Sequence, residues 1–243
     1  MNEAAAADPI LAVTEMAVSF NGRPILHDVS LRVWPQQIVA LVGPNGAGKT
    51  TILKAIGGLI RIKHGRVRFA DEEIAGRDVS AIVRQGMVYV PEGMSVFPDM
   101  SVLENLEVGA YLDRRKIPQK LEQVFCLFPE LKSKRQTPAG ALSGGEQRMV
   151  TLGRGLMAGA RLLLLDDPFL GLSPKIIRRF CDTFKKLRHS GMTLVIAGQH
   201  VRRILNVADQ AYLVEDGTIT LAGPGPEILQ HHHLQQILFG AEG

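Results

Sequence analysis

At 243 residues, 46% hydrophobic and 21% charged, the chain can bury an ordinary core as one large or two small domains. Its formal net charge of +4 is mildly basic, but Arg and Lys are scattered in small clusters at residues 114–116, 132–135 and 178–179, and only 5% of residues are aromatic. The stacking platforms and basic stripe of a nucleic-acid binder are missing, so no nucleic-acid partner is expected.

In chain order, the first third reads as strands. Residues 10–20 and 25–34 flank the turn "NGRP", a hairpin signal. Residues 37–43 ("QIVALVG") are a buried strand, "GPNGAGKT" a glycine-rich loop, and residues 51–60 an apolar-periodic helix. Residues 65–76 read as a second hairpin and "GMVYVPEG" as a further short strand. Character changes after Gly93. Ser101 and Glu104 form a capping-box pattern opening a helix, residues 118–131 supply another, and residues 138–145 break into a polar loop before a helix over 146–159. The alternation then resumes: a strand at 162–166, a helix at 174–189 with Ser173 as cap and Pro174 in its first turn, and a strand at 193–198. A helix from Val201, strands at 210–215 and 218–223 about Asp216-Gly217, and a helical tail over 226–240 close the chain. His231, His232 and His233 sit in that tail as solvated surface rather than as a metal site.

Cys126 and Cys181 have no metal-ligand spacing and read as free thiols of a reducing cytosol. No apolar run reaches the about eighteen residues a membrane span needs. The start carries the acids Glu3 and Asp8 without a basic stretch, unlike a secretory signal. A cytoplasmic chain, soluble in isolation, is expected; service to a membrane would mean docking onto other subunits.

"GPNGAGKT" is G-x-x-x-x-G-K-[ST], directly after a strand and before a helix. In that context Gly43, Pro44, Asn45, Gly46, Ala47 and Gly48 let backbone N–H groups curl around phosphate oxygens. Lys49 is a point charge for the terminal phosphates, Thr50 offers a hydroxyl to Mg²⁺, and Thr51 continues the helix start. Four leucines, Leu162 to Leu165, then end in Asp166 and Asp167. A bland reading makes these a helix cap and a solvated charge. Beside a phosphate loop, Asp166 reads instead as the Mg²⁺ ligand ending a neighbouring strand.

"LSGGEQ", residues 142–147, presents a hydroxyl, bare amides and a helix dipole at Ser143, Gly144, Gly145 and Glu146: a second phosphate grip. One nucleotide does not need two such grips from one chain; two chains arranged head to tail do. Together these motifs closely resemble the ATP-binding cassette (ABC) ATPases of transporters, over nearly the whole chain. The resemblance implies an α/β P-loop ATPase with an N-terminal antiparallel β-subdomain. Residues 1–93 and 160–243 would form the core and 94–159 an inserted helical subdomain, with ATP and Mg²⁺ bound. It implies that Phe20 stacks on adenine (the alternative being one more core-facing Phe), and that Gly171 and Leu172 meet the opposite subunit. It also implies that Glu92, rather than Gln85, links the nucleotide and its metal to the membrane partner. The stretch "YVPEGMSVFPDMSVLENLEVGAY" and the ending "HLQQILFG" resemble LivF-like ATPases that energise uptake of branched-chain and other hydrophobic amino acids. Implied partners are a second ABC ATPase (the same or a different chain), transmembrane permease subunits and, indirectly, a periplasmic solute-binding protein. The implied location is the cytoplasmic face of the membrane.

Two departures from the family pattern matter. Asp167 stands where these ATPases usually carry Glu to activate water; it is one methylene shorter, and a displacement of about an ångström can cost on the order of a hundredfold. Gln199 stands where a His commonly contacts the γ-phosphate, with His200 one place later. Gln199 is expected to face the phosphate and His200 to be polar surface, because neighbours on an extended chain point opposite ways. An intact "LSGGEQ" beside an altered water-activating pair suits a chain that completes a partner's site while turning over slowly at its own. Alternatives are a regulatory ATP-binding subunit or a soluble ABC ATPase outside transport.

Overall fold

The computed structural model describes residues 8–93 and 95–239; Glu3, Met94 at the expected start of the helical insertion, and residues 240–243 lie outside them. Two sheets carry the fold. Strands β1 (Leu11–Phe20), β2 (Arg23–Val33), β4 (His64–Phe69) and β5 (Glu72–Glu73) form an antiparallel sheet in the order β2-β1-β4-β5. The second sheet contains β3 (Ile38–Val42), β6 (Met87–Val90), β7 (Leu162–Asp166), β8 (Thr193–Ala197), β9 (Gln210–Glu215) and β10 (Thr218–Gly223), in the order β10-β9-β3-β8-β7-β6. All its pairings are parallel except β9–β10. Strands β3, β7 and β8 are buried along their whole length, as expected of a parallel sheet covered on both faces.

The hairpins follow from local chemistry. Asn21-Gly22, Ala70-Asp71 and Asp216-Gly217 all adopt positive φ at both positions, the primed-turn geometry whose twist matches the flanking strands. The last of these turns also joins the sheets: His27 N–H donates to Gly217 C=O at 2.9 Å, and a Cβ on Gly217 would stand 2.0 Å from the Ile25 carbonyl oxygen.

Helix α1 (Lys49–Ile56) follows β3, and α2 (Val79–Arg84) precedes β6. Between β6 and β7, which are neighbours in the sheet, run α3 (Val102–Gly109), α4 (Ile117–Leu127), α5 (Pro129–Ser133) and α6 (Gly144–Met157). These helices share one core with the sheet: Leu106, Val124, Phe128 and Val150 belong to the same buried cluster as Val90, Leu163 and Ile196. Gly155 is the close approach, where a Cβ would come within 2.9 Å of Val90. Helices α7 (Pro174–His189), α8 (Val201–Leu205), α9 (Gly225–Gln230) and α10 (His232–Phe239) complete the chain.

Several expectations need correction. Helix α2 was not anticipated; among its residues only Ile82 is buried, so its periodicity is faint. The helix expected over 118–131 breaks at Phe128, whose φ of −129° precedes Pro129 at the start of α5. The tail breaks likewise at His231, in extended conformation between α9 and α10. Ser173 occupies the cap position of α7, but its side chain makes no capping hydrogen bond. Ser101 forms the expected capping box with Glu104.

Candidate nucleotide-binding site

The glycine-rich loop crosses from β3 to α1 over the end of the parallel sheet. Gly43 has φ 147°, and a Cβ there would lie 2.0 Å from the Val214 carbonyl oxygen, so the backbone passes against β9 where no side chain fits. Gly48 caps α1 in left-handed conformation without a side-chain acceptor, which leaves the first amides of the helix free for a ligand. Lys49 is buried and folds back along the loop: its Nζ donates to the carbonyls of Gly43 at 2.8 Å and Pro44 at 2.6 Å. Burial lowers its pKa, while Asp167 and Asp166 act in the opposite direction.

The acidic wall comes from the end of β7. Thr50 Oγ1 donates to Asp166 Oδ1 at 3.0 Å, and Tyr89 Oη donates to Asp166 Oδ2 at 2.9 Å. Burial first, then Asp166, pushes the Tyr89 phenol well above its ordinary pKa, so it remains a donor. Asp167 is 5% exposed and adopts φ 37°, a left-handed conformation unusual for a non-glycine residue. Its N–H donates to Ala197 C=O at 2.8 Å, which ties the turn to β8. Its Oδ1 has no hydrogen-bond partner among the described residues, and burial raises its pKa, opposed most by His200. A buried, unpaired carboxylate oxygen at a polar cleft is poised to meet a proton donor from outside the chain.

These groups converge. A cleft of about 250 Å³ is lined by Asn45, Gly46, Gly48, Lys49, Thr50, Thr51, Glu92, Asp166, Asp167, Gly198 and Gln199. Gly43, Pro44 and Ala47 form the loop beneath it. Gln199 is exposed and lines the cleft; His200 does not. Nor is His200 the polar surface expected: it is half-buried, edge-on to Phe169 with ring centroids 5.9 Å apart, and its Nδ1 lacks a partner among the described residues. Phe20 is 47% exposed at the end of β1, not core-facing, and lies outside the cleft lining. Gln85 ends α2 and donates to Glu72 at 2.8 Å, away from the site.

Ser143, Gly144, Gly145 and Glu146 open α6 and do not line the cleft. Ser143 and Gly144 are exposed. Glu146 turns inward, accepting from Ser143 N–H at 3.0 Å, from Ser143 Oγ at 2.9 Å and from Lys134 Nζ at 2.6 Å. The helix N-terminus is therefore internally capped, with its anionic cap neutralised by a lysine. Gly171 is exposed and Leu172 half-buried beyond β7. His231 to His233 are exposed, and His233 bonds Glu215 at 2.8 Å.

No cluster of three or more His, Cys, Asp or Glu able to hold a metal occurs among the described residues. Thr50 and Asp166 instead offer two hard oxygens in the cleft beside the glycine-rich loop. That donor set fits Mg²⁺, which takes one or two protein oxygens and completes its shell with phosphate and water. Two contributors escaped the sequence reading: Tyr89, which fixes Asp166, and Arg148, whose Nη2 donates to the Asp167 carbonyl at 3.1 Å.

The family profile described as "ABC transporter" matches residues 26–170. The chain is 37% identical over 232 residues to the high-affinity branched-chain amino acid transport ATP-binding protein BraG of Pseudomonas aeruginosa, covering 95% of this chain and all of that one. It is 33% identical to a probable branched-chain amino acid transport ATP-binding protein LivF of Archaeoglobus fulgidus, covering 95% and 99%. It is equally, at 33%, identical to the lipopolysaccharide export ATP-binding protein LptB of Escherichia coli, covering 96% and 98%. Among solved structures, a nucleotide-free ATP-binding cassette of an ABC transporter superposes with a TM-score of 0.84 at 26% identity, covering 96% and 99%. A cassette in its ADP conformation gives 0.85 at 25% identity with the same coverage.

Proposed function

The chain belongs to the ABC transporter family as an ATP-binding subunit, and we propose that it drives uptake of branched-chain or other hydrophobic amino acids through partner membrane subunits. ATP hydrolysis is the family's general activity. One observation carries the reading: the cleft gathers Lys49, Thr50, Asp166, Asp167, Glu92 and Gln199, while the second phosphate grip at Ser143 faces elsewhere. That division suits two chains head to tail, each lending Ser143, Gly144 and Gly145 to the other's phosphate loop. The likeness to BraG and LivF supports the amino-acid substrate; the likeness to LptB keeps other cargo open to test.

In this reading Phe20 stacks on adenine, and Gly43 through Thr51 wrap the phosphates, with Lys49 leaving its two carbonyls to meet them. Thr50 and Asp166 would hold Mg²⁺, with Glu92 at the edge of the site. The bound metal would neutralise charge on the terminal phosphate oxygens. Glu146 keeps the α6 cap closed around Ser143. Gln199 contacts the γ-phosphate. Asp167 accepts a proton from the attacking water as the water oxygen bonds to phosphorus and ADP departs with the bridging oxygen. Its shorter reach makes it a slow base, so a partner's site could carry most turnover; an almost wholly regulatory role is the limit of the same idea. Peripheral placement at the cytoplasmic face of a membrane, under permeases fed by a solute-binding protein, completes the proposal. No helix among the described residues is long and apolar enough to cross a membrane.

The test is ATP-dependent leucine uptake by cells carrying the chain or its Lys49→Ala variant, with co-purification of polytopic membrane proteins in detergent. Uptake lost with Lys49→Ala, and membrane partners retained, supports the reading. Unchanged uptake with no membrane partner moves the chain to other cargo or outside transport.

A further inference from the structure

Arg148 is a charged side chain with nowhere ordinary to be. It stands on α6, 2% exposed, and lines a void of about 10 Å³ together with Asp166 and mostly apolar residues such as Leu152, Leu165, Phe180 and Phe184. A void of that size barely admits one water. Among the described residues no carboxylate forms a salt bridge with Arg148, and its Nε lacks a partner. Burial accordingly depresses its pKa, with Asp167, Glu92 and Asp166 acting against that at longer range. A buried guanidinium without a carboxylate partner costs stability unless hydrogen bonds offset its desolvation.

The geometry of its hydrogen bonds shows what the charge accomplishes. Nη1 donates to the carbonyls of Gly93 and, at 3.4 Å, Pro91; Nη2 donates to the carbonyl of Asp167 at 3.1 Å. The first two carbonyls bracket Glu92. The third belongs to the residue with φ 37° whose side chain faces the cleft. One planar fork therefore holds the backbones of both cleft carboxylates that lie outside the phosphate loop and β7. The fork is mounted on the helix whose first turn is Ser143, Gly144 and Gly145, about 7 Å back along the axis.

We propose that Arg148 is a positioning residue that couples the exposed N-terminus of α6 to this chain's own cleft, by clamping Asp167 and the Glu92 turn to that helix. The proposal rests on the head-to-tail ATPase reading above. A nucleotide held by the partner ATPase chain against Ser143 loads α6 at its tip. The same rigid helix carries Arg148, so the load reaches the carbonyls of Asp167 and Gly93 without passing through the phosphate loop. Binding of ATP by the chain's own Lys49 cradle does not involve Arg148; the placement of Asp167 and Glu92 for hydrolysis does. Lysine cannot replace it, because a single ammonium lacks the flat fork that spans two loops.

The experiment compares the full chain with Arg148→Lys, Arg148→Met and Lys49→Ala. Its readouts are ATP hydrolysis, equilibrium binding of a fluorescent ATP analogue, and amide exchange of the peptide containing Glu92 with and without ATP. The expected result for both Arg148 variants is kcat lower by about tenfold or more, analogue Kd within about twofold of wild type, and ATP-induced protection of the Glu92 peptide lost. Unchanged kcat in Arg148→Met overturns the proposal. So does a parallel loss of binding and hydrolysis, or unfolding of both variants, which would assign Arg148 to the fold alone. If Lys49→Ala hydrolyses ATP as fast as wild type, it is the ATPase reading that fails instead.

Discussion

Thr50 Oγ1 lies 3.0 Å from Asp166 Oδ1, joining side chains 116 residues apart at the mouth of the sheet. Tyr89 Oη completes the arrangement by donating to the other carboxylate oxygen at 2.9 Å. Asp166 is thereby locked in one rotamer by two hydroxyls from different elements before any metal arrives.

Loss of the Tyr89 hydroxyl should therefore be felt through the metal. A hydrogen bond to a charged group contributes about 1.5–3 kcal/mol, part of which water recovers at a half-buried site. Tyr89→Phe is expected to raise the Mg²⁺ concentration for half-maximal hydrolysis by about tenfold while changing nucleotide affinity little. A Mg²⁺ titration of ATPase rate checks this; an unchanged titration midpoint would remove Tyr89 from the site.

Under the proposed function Lys49 would leave its two carbonyl partners for phosphate, so its removal should spare the fold. Lys49→Ala is expected to lower hydrolysis by at least about a hundredfold with an unfolding midpoint near wild type, because the lost interaction is with the ligand's charge. Paired rate and thermal-melt measurements decide it.

Two glycines of the loop separate fold from function. At Gly43 a Cβ would meet the Val214 carbonyl oxygen at 2.0 Å, whereas at Gly46 nothing lies within 4 Å. Gly43→Ala should cost several kcal/mol or prevent folding, while Gly46→Ala should cost only about 1–2 kcal/mol from its positive φ. Gly46→Ala should still weaken ATP binding, since its backbone lines the cleft. Denaturant melts of the two variants check the contrast.

The α6 cap sets a pH signature. Lys134, with Ser143 in support, holds the Glu146 carboxyl below its usual 4.5. Because the folded value lies below the unfolded one, the stabilisation is present in full above the unfolded value and is lost as pH falls through the folded value. Lys134→Ala should thus lower the urea midpoint at neutral pH, and the difference should diminish at an acid pH well below 4.5, where Glu146 takes up its proton. Equal differences at both pH values would show that Lys134 acts by packing rather than charge.

The glycine-rich loop, Asp166 and the Ser143 cap are readable in the chain because each is local. The loop has fixed spacing between one strand and one helix, Asp166 ends a run of leucines, and Ser143 and Glu146 are three residues apart. Tyr89 and Arg148 are not readable. Tyr89 reaches Asp166 across 77 residues and Arg148 reaches Pro91 across 57, so register between strands and helices decides their partners. His200 departs from the expected polar surface because alternation along a strand does not show that Phe169, from the segment after β7, packs edge-on against its ring. Pro129 did announce the break between α4 and α5, but the apolar spacing of residues 118–131 ran through it.

Whether the short acid at Asp167 limits turnover is tested most directly by steady-state ATP hydrolysis of the purified chain beside Asp167→Glu. Oδ1 of Asp167 is buried and has no hydrogen-bond partner among the described residues. Slow wild-type turnover is expected, with a rate increase of about tenfold or more in Asp167→Glu as the longer side chain brings the carboxylate to the water. A fast wild type that Asp167→Glu leaves unchanged or impairs would contradict this expectation, and would mean that the φ 37° backbone has already moved the shorter acid into place.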